Sequence, residues 1–251
     1  MGVVTERLLL LLPPSQSKAT GGRRSNKTGA FDAVLAEPRR QVLSSLHALL
    51  QTSTFKQRST LFNAQGPLLE RAINSILGFE NGEVPLLPAW RRYEGVVWTH
   101  LDPSSLTPAQ RREVLIPSGL YGLLTCEDPI ADYRLKMNAS LTPLGTLARF
   151  WRPALTSLLE QRSKNKTIVN FLPNEHVASI DFAALSEIRR IIDVHFVAAD
   201  EKRAVGHDAK AVKGVVARRL LVEGTGVLDA MDWRGWRVHR EGNDVFVTAS
   251  S

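Results

Sequence analysis

The apolar residues of this chain occur either in short unbroken runs or at helical spacing. Residues 8–12 are five consecutive leucines, followed by two prolines. This run is too short for a membrane span or a signal-peptide core, and it predicts a buried first strand. Apolar positions that recur every three or four residues predict helices over 38–51, 54–63 and 67–77.

The rest of the chain continues to alternate strand and helix patterns. Residues 96–98 are apolar and few, which predicts a short strand or a buried turn. The later predicted elements are a strand over 114–116, a helix over 144–161, a strand over 167–172, a helix over 181–190, a strand over 194–198, a helix over 208–222 and a hairpin formed by 236–238 and 245–247. Because the two kinds of element alternate, α/β and α+β folds are both open.

With 251 residues, 43% of them hydrophobic, the chain can bury a full core and is expected to form one domain. Its single cysteine, Cys126, excludes a disulfide framework and favours a reducing, cytoplasmic compartment. No apolar run approaches the ~20 residues of a membrane helix, so no membrane partner is expected. The histidines lack ligand spacing to cysteine or carboxylate residues, so no metal site is predicted, and no particular cofactor is indicated.

The net charge of +7 favours polyanions or anionic small molecules as partners. The arginines and lysines are spread along the chain, and pairs such as Arg91 and Arg92 are interpreted mainly as solvated helix faces. The charge by itself therefore raises the case for nucleic-acid binding only modestly.

Residues 118–137 fit no single secondary-structure pattern, and this predicts a functional site. Gly119 and Gly122 allow the backbone to approach a ligand, with Ser118 beside them. Arg134 offers a planar fork of donors for a carboxylate or phosphate. A structural ion pair of Arg134 with a neighbouring acid is an equally open interpretation. The neighbouring acids are Glu127, Asp128 and Asp132.

Ser15 and Lys18 follow directly on the first predicted strand, where open α/β sheets place their ligands. We therefore interpret Lys18 as a candidate catalytic residue and Ser15 as a candidate binding residue. The alternative is a solvated loop lysine. The same loop contains an S-x-x-K pattern and an incomplete P-loop over residues 21–28, but neither has the flanking elements that its chemistry requires.

Residues 206–214 predict a second cationic site at the start of a helix. Lys210 and Lys213 lie three residues apart and share one helix face, close to His207. Such a helix start can hold an anion, and a buried Lys210 would have the lowered pKa that base or covalent chemistry requires. The alternative is a solvated amphipathic helix with its valines in the core.

Five sequence blocks occur in the order found in the YaaA family, the peroxide stress proteins, which the chain strongly resembles. The blocks are PPSQSKA (13–19), YEGVVW (93–98), the SGLYG and YRLKM block (118–137), FWRPAL (150–155) and GHDAKAVKG (206–214). Together they extend over nearly all of the chain. The resemblance implies one compact mixed α/β domain over residues 1–251, whose mixed sheet is surrounded by helices.

The resemblance also bears on the candidate site residues. The family carries a proline followed by a lysine at the place of Lys18, and H-x-A-K at Lys210, which favours both lysines as site residues. Tyr93 and Asn170 are expected to add hydrogen bonds to the same cavity. The loop over 172–176 departs from the family pattern at Pro173 and His176, so no family role is carried over to that loop.

Two functions follow from the resemblance and the residues. The resemblance implies a cytosolic protein of the oxidative stress response that binds double-stranded DNA without sequence preference, through a helix-hairpin-helix-like element expected at residues 116–122. Its glycines are three residues apart, whereas the usual hairpin spaces them by two. The alternative is an enzyme that acts on a small anionic substrate, a nucleotide or an amino-acid-like acid, in a cleft lined by Lys18, Arg134 and Lys210.

Overall fold

The computed structural model describes residues 6–25, 27–79, 82–197 and 207–249. The helices in these ranges are α1 (Asp32–Thr52), α2 (Phe55–Phe62), α3 (Gly66–Leu77), α4 (Ala89–Arg92), α5 (Val96–Leu101), α6 (Pro108–Arg111), α7 (Leu147–Arg162), α8 (Asn174–Val177), α9 (Phe182–Ser186) and α10 (His207–Glu223), with 3-10 turns at Pro103–Ser105 and Thr225–Leu228. None of the helices in the described ranges is long and apolar enough to cross a membrane.

Strands account for most of the remaining regular structure. They are β1 (Leu8–Leu11), β2 (Ser17–Lys18), β3 (Leu87–Pro88), β4 (Tyr93–Glu94), β5 (Val114–Ser118), β6 (Gly122–Thr125), β7 (Pro129–Ile130), β8 (Ser140–Leu141), β9 (Gly145–Thr146), β10 (Thr167–Asn170), β11 (Ile191–Val197), β12 (Asp232–Trp233), β13 (Trp236–Glu241) and β14 (Asp244–Ala249).

One mixed sheet forms the centre of this α/β fold, with the strand order β12-β13-β14-β11-β10-β1-β5-β6. The strands from β14 to β5 run parallel, whereas β5 with β6 and β13 with β14 form antiparallel hairpins. β1 lies between β10 and β5, and its leucines 9–11 have 0% exposure. A parallel strand covered on both faces needs an apolar side chain at every position, which explains the unbroken leucine run.

The strand order also creates a crevice beside β1. The chain passes from β1 to β5 on one side, and later from β10 to β11 on the other side. The connections that leave the neighbouring strands β1 and β10 therefore run in opposite directions. Such a switch point leaves a crevice outside the carboxyl ends of the two strands, where open α/β proteins bind their ligands.

Helix α10 packs against α5 at a very short backbone distance. A Cβ atom added to Gly214 would lie 2.8 Å from the Cβ of His100 and 2.9 Å from the backbone nitrogen of Leu101, and closer still to the carbonyl oxygen of Val97. Only a glycine fits here. Gly214 therefore sets how closely α10, which carries Lys210 and Lys213, approaches the core.

Most of the predicted elements are confirmed. The first strand, the closing hairpin and the helices predicted over 54–63, 67–77, 144–161 and 208–222 are all present, with helix boundaries shifted by three residues at most. The mixed α/β fold class is confirmed as well.

Three predictions of elements were wrong in type or extent. Residues 96–98 begin helix α5, because Trp98 and Leu101, one helical turn apart, are its buried pair. Helix α1 begins at Asp32 and contains Pro38 in its interior, whereas the prediction began the helix at that proline. Helix α9 is capped by Asp181 as expected but ends at Ser186, and the next strand begins at Ile191.

The close contact of α10 with α5 predicts that Gly214→Ala destabilises the fold. The added methyl group must displace helix backbone. Even after the up to ~1 kcal/mol that alanine gains by helix propensity is taken into account, the free energy of unfolding should fall by about 1–3 kcal/mol. Urea unfolding measures the loss. The control is Gly226→Ala, where nothing lies within 4 Å of the added atom. Equal stability of both variants would show that α10 is not held this close to α5.

Candidate functional site

A cleft lies at the crevice beside the carboxyl ends of β1 and β10. Its lining comes from the loop after β1, the segment over 133–136, the start of α8 and the end of α2. The lining residues are Pro14, Ser15, Gln16, Lys18, Phe62, Asn63, Tyr133, Arg134, Leu135, Lys136, Glu175 and His176. The cleft has a volume of about 60 Å³, so it accommodates a small polar group.

Lys18 lies in the wall of this cleft with only 8% exposure. Its strand β2 pairs with β4, which places Lys18 opposite Tyr93. The ammonium nitrogen donates a hydrogen bond of 2.7 Å to the carbonyl oxygen of Ser15 and lies 4.3 Å from the ring centre of Tyr133. Among the described residues, no carboxylate comes within 4 Å of this nitrogen. Lys18 is thus a buried cation that forms no ion pair with any described residue.

The surroundings make the neutral form of Lys18 accessible. Burial, and secondarily the charges of Arg134 and Arg92, lower the pKa of Lys18 to about 7, although Asp132 opposes the shift. A lysine amine that is substantially neutral near pH 7 can accept a proton or attack an electrophile. The solvated-loop interpretation of Lys18 is therefore not what the structure shows.

Three buried hydroxyl groups support the floor of the cleft below Lys18. The hydroxyl of Tyr133 lies 2.8 Å from that of Tyr93 and 2.7 Å from the Oγ of Ser118. Burial raises the pKa of Tyr133 to about 12, so it stays a phenol. Tyr93 and Ser118 thus lie behind the cleft wall and contact it through the hydroxyl of Tyr133. Sequence reasoning missed the central position of Tyr133, although it stands next to Arg134 in the same block.

Arg134 lines the cleft without a close carboxylate among the described residues. Its Nη1 lies 3.5 Å from the carbonyl oxygen of Gln16, at the outer limit of a hydrogen bond. The guanidinium group therefore has donors free for a carboxylate or phosphate.

The acids that could have paired with Arg134 have other partners. Asp132 lies 3.4 Å from Arg71, and Glu127 pairs with Arg111. Asp128 accepts hydrogen bonds from the backbone nitrogens of residues 30 and 125. The alternative of a structural ion pair at Arg134 is thus not present in the structure.

A second missed residue holds the chain immediately after Lys18. Arg92 is completely buried, and its guanidinium group donates to four backbone carbonyl groups. The acceptors are the carbonyl oxygens of Ala19, Gly21, Pro85 and Ile130. The interpretation of Arg92 as part of a solvated helix face was wrong, because its side chain turns inward and fixes the loop that carries Lys18.

The cationic helix α10 presents its two lysines differently from the prediction. Lys213 donates a hydrogen bond of 2.7 Å to the carbonyl oxygen of Phe171, the first residue after β10. Burial, and then the charge of Lys210, lower the pKa of Lys213 to about 8. Lys210 is exposed and does not line the cleft. The prediction of a buried Lys210 in the cleft was wrong. His207 begins α10, and its side chain lies outside the described part of the structure.

His176 lines the cleft from the β10 side, and sequence reasoning missed it. It has 5% exposure, and its Nδ1 has no hydrogen-bond partner in the described structure. Burial, and secondarily the charge of Lys213, lower the pKa of His176 to about 4. The ring is therefore neutral at physiological pH. The departure of this loop from the family pattern was the one signal that could have drawn attention to it.

Ser15 and Asn170 fix the two loops that form the crevice. The Oγ of Ser15 donates to the carbonyl oxygen of Glu94. The side chain of Asn170 donates to Asp193 at 2.7 Å and accepts from the backbone nitrogen of Leu172 at 3.0 Å. Ser15 lines the cleft, whereas Asn170 holds the loop that leads to His176 without lining it.

The prediction of a helix-hairpin-helix element at residues 116–122 was wrong. These residues belong to the antiparallel hairpin of β5 and β6, and residues 114–126 are all buried. A Cβ atom on Gly119 would lie 2.8 Å from the carbonyl oxygen of Leu135, and one on Gly122 (φ 73°) would lie 2.8 Å from the Trp151 ring. Both glycines permit close packing in the interior rather than contact with a ligand or phosphate.

The described residues favour neither metal binding nor thiol chemistry. No three His, Cys, Asp or Glu side chains come together there to hold a metal ion. Cys126 is buried, and burial raises the pKa of its thiol. Because the thiolate is the reactive form, this cysteine is unreactive.

The fold and the site define an open α/β protein with a cationic cleft, built around a buried lysine at the switch point of its sheet. A family model described as "Peroxide stress protein YaaA" matches residues 8–241, so the chain belongs to the YaaA family. The resemblance stated from its sequence blocks is confirmed.

Relatives from several bacteria match between about half and nine tenths of the chain. A UPF0246 protein of Streptomyces coelicolor is 32% identical over 225 residues, which cover 87% of this chain and 84% of that relative. A UPF0246 protein of Phenylobacterium zucineum is 29% identical over 235 residues, with coverages of 90% and 84%. One from Flavobacterium johnsoniae is 31% identical over 143 residues, 53% of this chain and 56% of its own length.

The lowered pKa of Lys18 predicts a specific pH dependence of stability. The unfolded chain keeps this lysine protonated up to about pH 10.4, whereas the folded chain releases the proton near pH 7. The unfolded state therefore binds more protons in this window, and the free energy of unfolding contributed by Lys18 rises with pH, by an amount on the order of a few kcal/mol. Below pH 7 both states are protonated, and the contribution is constant.

The measurement compares urea unfolding of the wild type and Lys18→Met between pH 6 and 10. The stability advantage of the methionine variant should be largest at low pH and should shrink as the pH rises. The exposed residue Lys164 supplies the control, Lys164→Met, whose difference from the wild type should not vary with pH in this way. Parallel curves for the wild type and Lys18→Met would contradict the lowered pKa.

Proposed function

We propose that this protein is an enzyme that binds a small anionic molecule in the cleft and uses Lys18 as its base or nucleophile. The observation that carries the proposal is the burial of the Lys18 amine in the cleft wall, hydrogen-bonded to one carbonyl oxygen and without a described carboxylate partner. An unpaired buried cation costs stability. Such a cost is typical of a residue kept for function.

The cations around Lys18 define the chemistry of the substrate. Arg134 provides planar donors for a carboxylate or phosphate, and Lys136 adds charge to the same lining. The negative charge of the bound substrate would stabilise the ammonium group that forms when Lys18 takes up a proton. The phosphate group of a nucleotide or the carboxylate of an amino-acid-like acid satisfies these requirements. Exposed Lys210 would then attract the anion from outside the cleft rather than react with it.

The family description connects these proteins with peroxide stress. Direct reduction of peroxide by a thiol is an unsuitable mechanism here, because the chain has a single cysteine and that cysteine is buried. We infer that any contribution of this protein to peroxide resistance comes from the molecule that the cleft binds or converts.

Binding of double-stranded DNA is the second candidate function, and the net charge of +7 is the observation that favours it. The hairpin at residues 116–122 is buried and cannot reach a phosphate group. Contacts with a DNA backbone would therefore fall to exposed arginines and lysines, whose combined effect would show as a steep dependence of affinity on salt.

The proposal predicts that Arg134→Gln weakens the binding of small phosphates or carboxylates by about 10- to 100-fold, the usual range for loss of a charge-assisted hydrogen bond. Calorimetric titration with a panel of nucleotides and amino acids measures the effect. The exposed residue Arg149 on α7 supplies the matched control, Arg149→Gln, which should bind as the wild type does. Equal weakening by both variants would show that net charge, rather than the cleft, holds the anion.

A second measurement separates the enzyme from the DNA-binding protein. Lys18→Met should abolish turnover of any substrate found in the panel and leave the anisotropy of a labelled DNA duplex unchanged at every salt concentration. This is expected because a buried amine is out of reach of a duplex. A loss of duplex affinity in Lys18→Met, with an unchanged fold by circular dichroism, would count against the enzyme proposal.

A further inference from the structure

His176 lies in the cleft wall with no hydrogen bond to its ring from any described residue. Its backbone nitrogen donates to the carbonyl oxygen of Pro173 at 2.8 Å, which fixes the residue at the start of α8. The Nδ1 atom is buried without a partner, and the nearest acid, Glu175, lies 3.6 Å away, beyond hydrogen-bond distance. Buried polar side-chain atoms without a partner are uncommon in folded proteins.

The neighbours of His176 determine what can satisfy it. Lys213 has only donors, and it directs one of them to Phe171 at 2.7 Å, so it cannot accept a hydrogen bond from the ring. Burial, and secondarily the positive charge of Lys213, keep the pKa of His176 low, so the imidazole is neutral. A neutral imidazole has one donor nitrogen and one acceptor nitrogen and no charge with which to hold an anion. A group that can satisfy the unpartnered nitrogen in either tautomer must both donate and accept, which is the property of a hydroxyl.

We propose that the ligand of this cleft is a hydroxylated anion, whose phosphate or carboxylate binds at Arg134 while a hydroxyl group binds at His176. The inference rests on the proposed function and narrows its substrate class to molecules such as sugar phosphates, nucleotides and hydroxy acids. His176 is then a residue that determines specificity, and Arg134 and Lys18 are the residues that hold and act on the anion.

The test compares probes that differ only in their hydroxyl groups. Glycerol 1-phosphate is paired with propyl phosphate, and glycerate is paired with propionate, in calorimetric titrations of the full chain. In at least one pair the wild type should bind the hydroxylated probe about three- to tenfold more tightly, the range for one neutral hydrogen bond. His176→Leu should remove this preference by weakening only the hydroxylated probe. His176→Gln keeps a donor and an acceptor and should retain part of the preference.

Thermal unfolding distinguishes a specificity role from a structural one. His176→Leu removes an unpaired polar atom from the interior and should leave the melting temperature equal or higher, whereas a structural role would lower it and leave the ratio of affinities unchanged. The exposed residue His239 supplies the control, His239→Leu, which should alter neither quantity.

The outcomes separate the two proposals. Equal affinities for both members of each pair in the wild type, or an unchanged ratio in His176→Leu, would overturn the hydroxyl inference. If propyl phosphate or propionate still bound in a manner that depended on Arg134, the proposed function would stand. Failure of all four probes to show binding that depends on Arg134 would overturn both.

Discussion

Burial of the first strand determines where the candidate site of this protein lies. β1 is parallel to both of its neighbours, and its leucines leave no polar side chain in the strand to interact with water. The first polar residues after it, including Ser15 and Lys18, must therefore lie at its carboxyl end. Because β10 runs parallel beside it, the loop that carries His176 ends at the same edge. The cleft is a consequence of this pairing and of the opposite directions in which the two connections leave the sheet.

The same edge of the sheet carries titratable side chains whose charged forms the described residues do not neutralise locally. Lys18, Lys213 and His176 all have lowered pKa values, and burial is the first cause in each case. Arg92 is also buried and close to Lys18, but its four carbonyl acceptors satisfy it, and it holds the loop. The contrast separates a buried cation that stabilises the fold from titratable groups whose hydrogen-bonding and charge requirements are only partly met. Groups of the second kind reduce stability and are characteristic of functional sites.

Local patterns were sufficient to predict the main strands and helices and part of the candidate site. The leucine run predicted β1, and the position just after it predicted Lys18 as a site residue. The remaining features depend on contacts between distant parts of the chain. Lys210 and Lys213 share a helix face, but Lys213 is partly buried and donates to the Phe171 carbonyl, whereas Lys210 is exposed. Gly119 and Gly122 resembled a ligand-binding loop because close backbone approach has the same sequence signature whether the neighbour is a phosphate or the Trp151 ring. Periodicity does not contain this information.

The electrostatics of the cleft link ligand binding to stability. Asp132 raises the pKa of Lys18, but its charge is shared with Arg71, and burial together with Arg134 outweighs it. An anion at Arg134 would add the missing negative charge near Lys18, favour its protonated form and relieve the repulsion between the two cations. Because such a ligand binds only the folded chain, its binding free energy would add directly to the free energy of unfolding. The groups that make the cleft costly to fold are therefore the same groups that would bind the proposed anion.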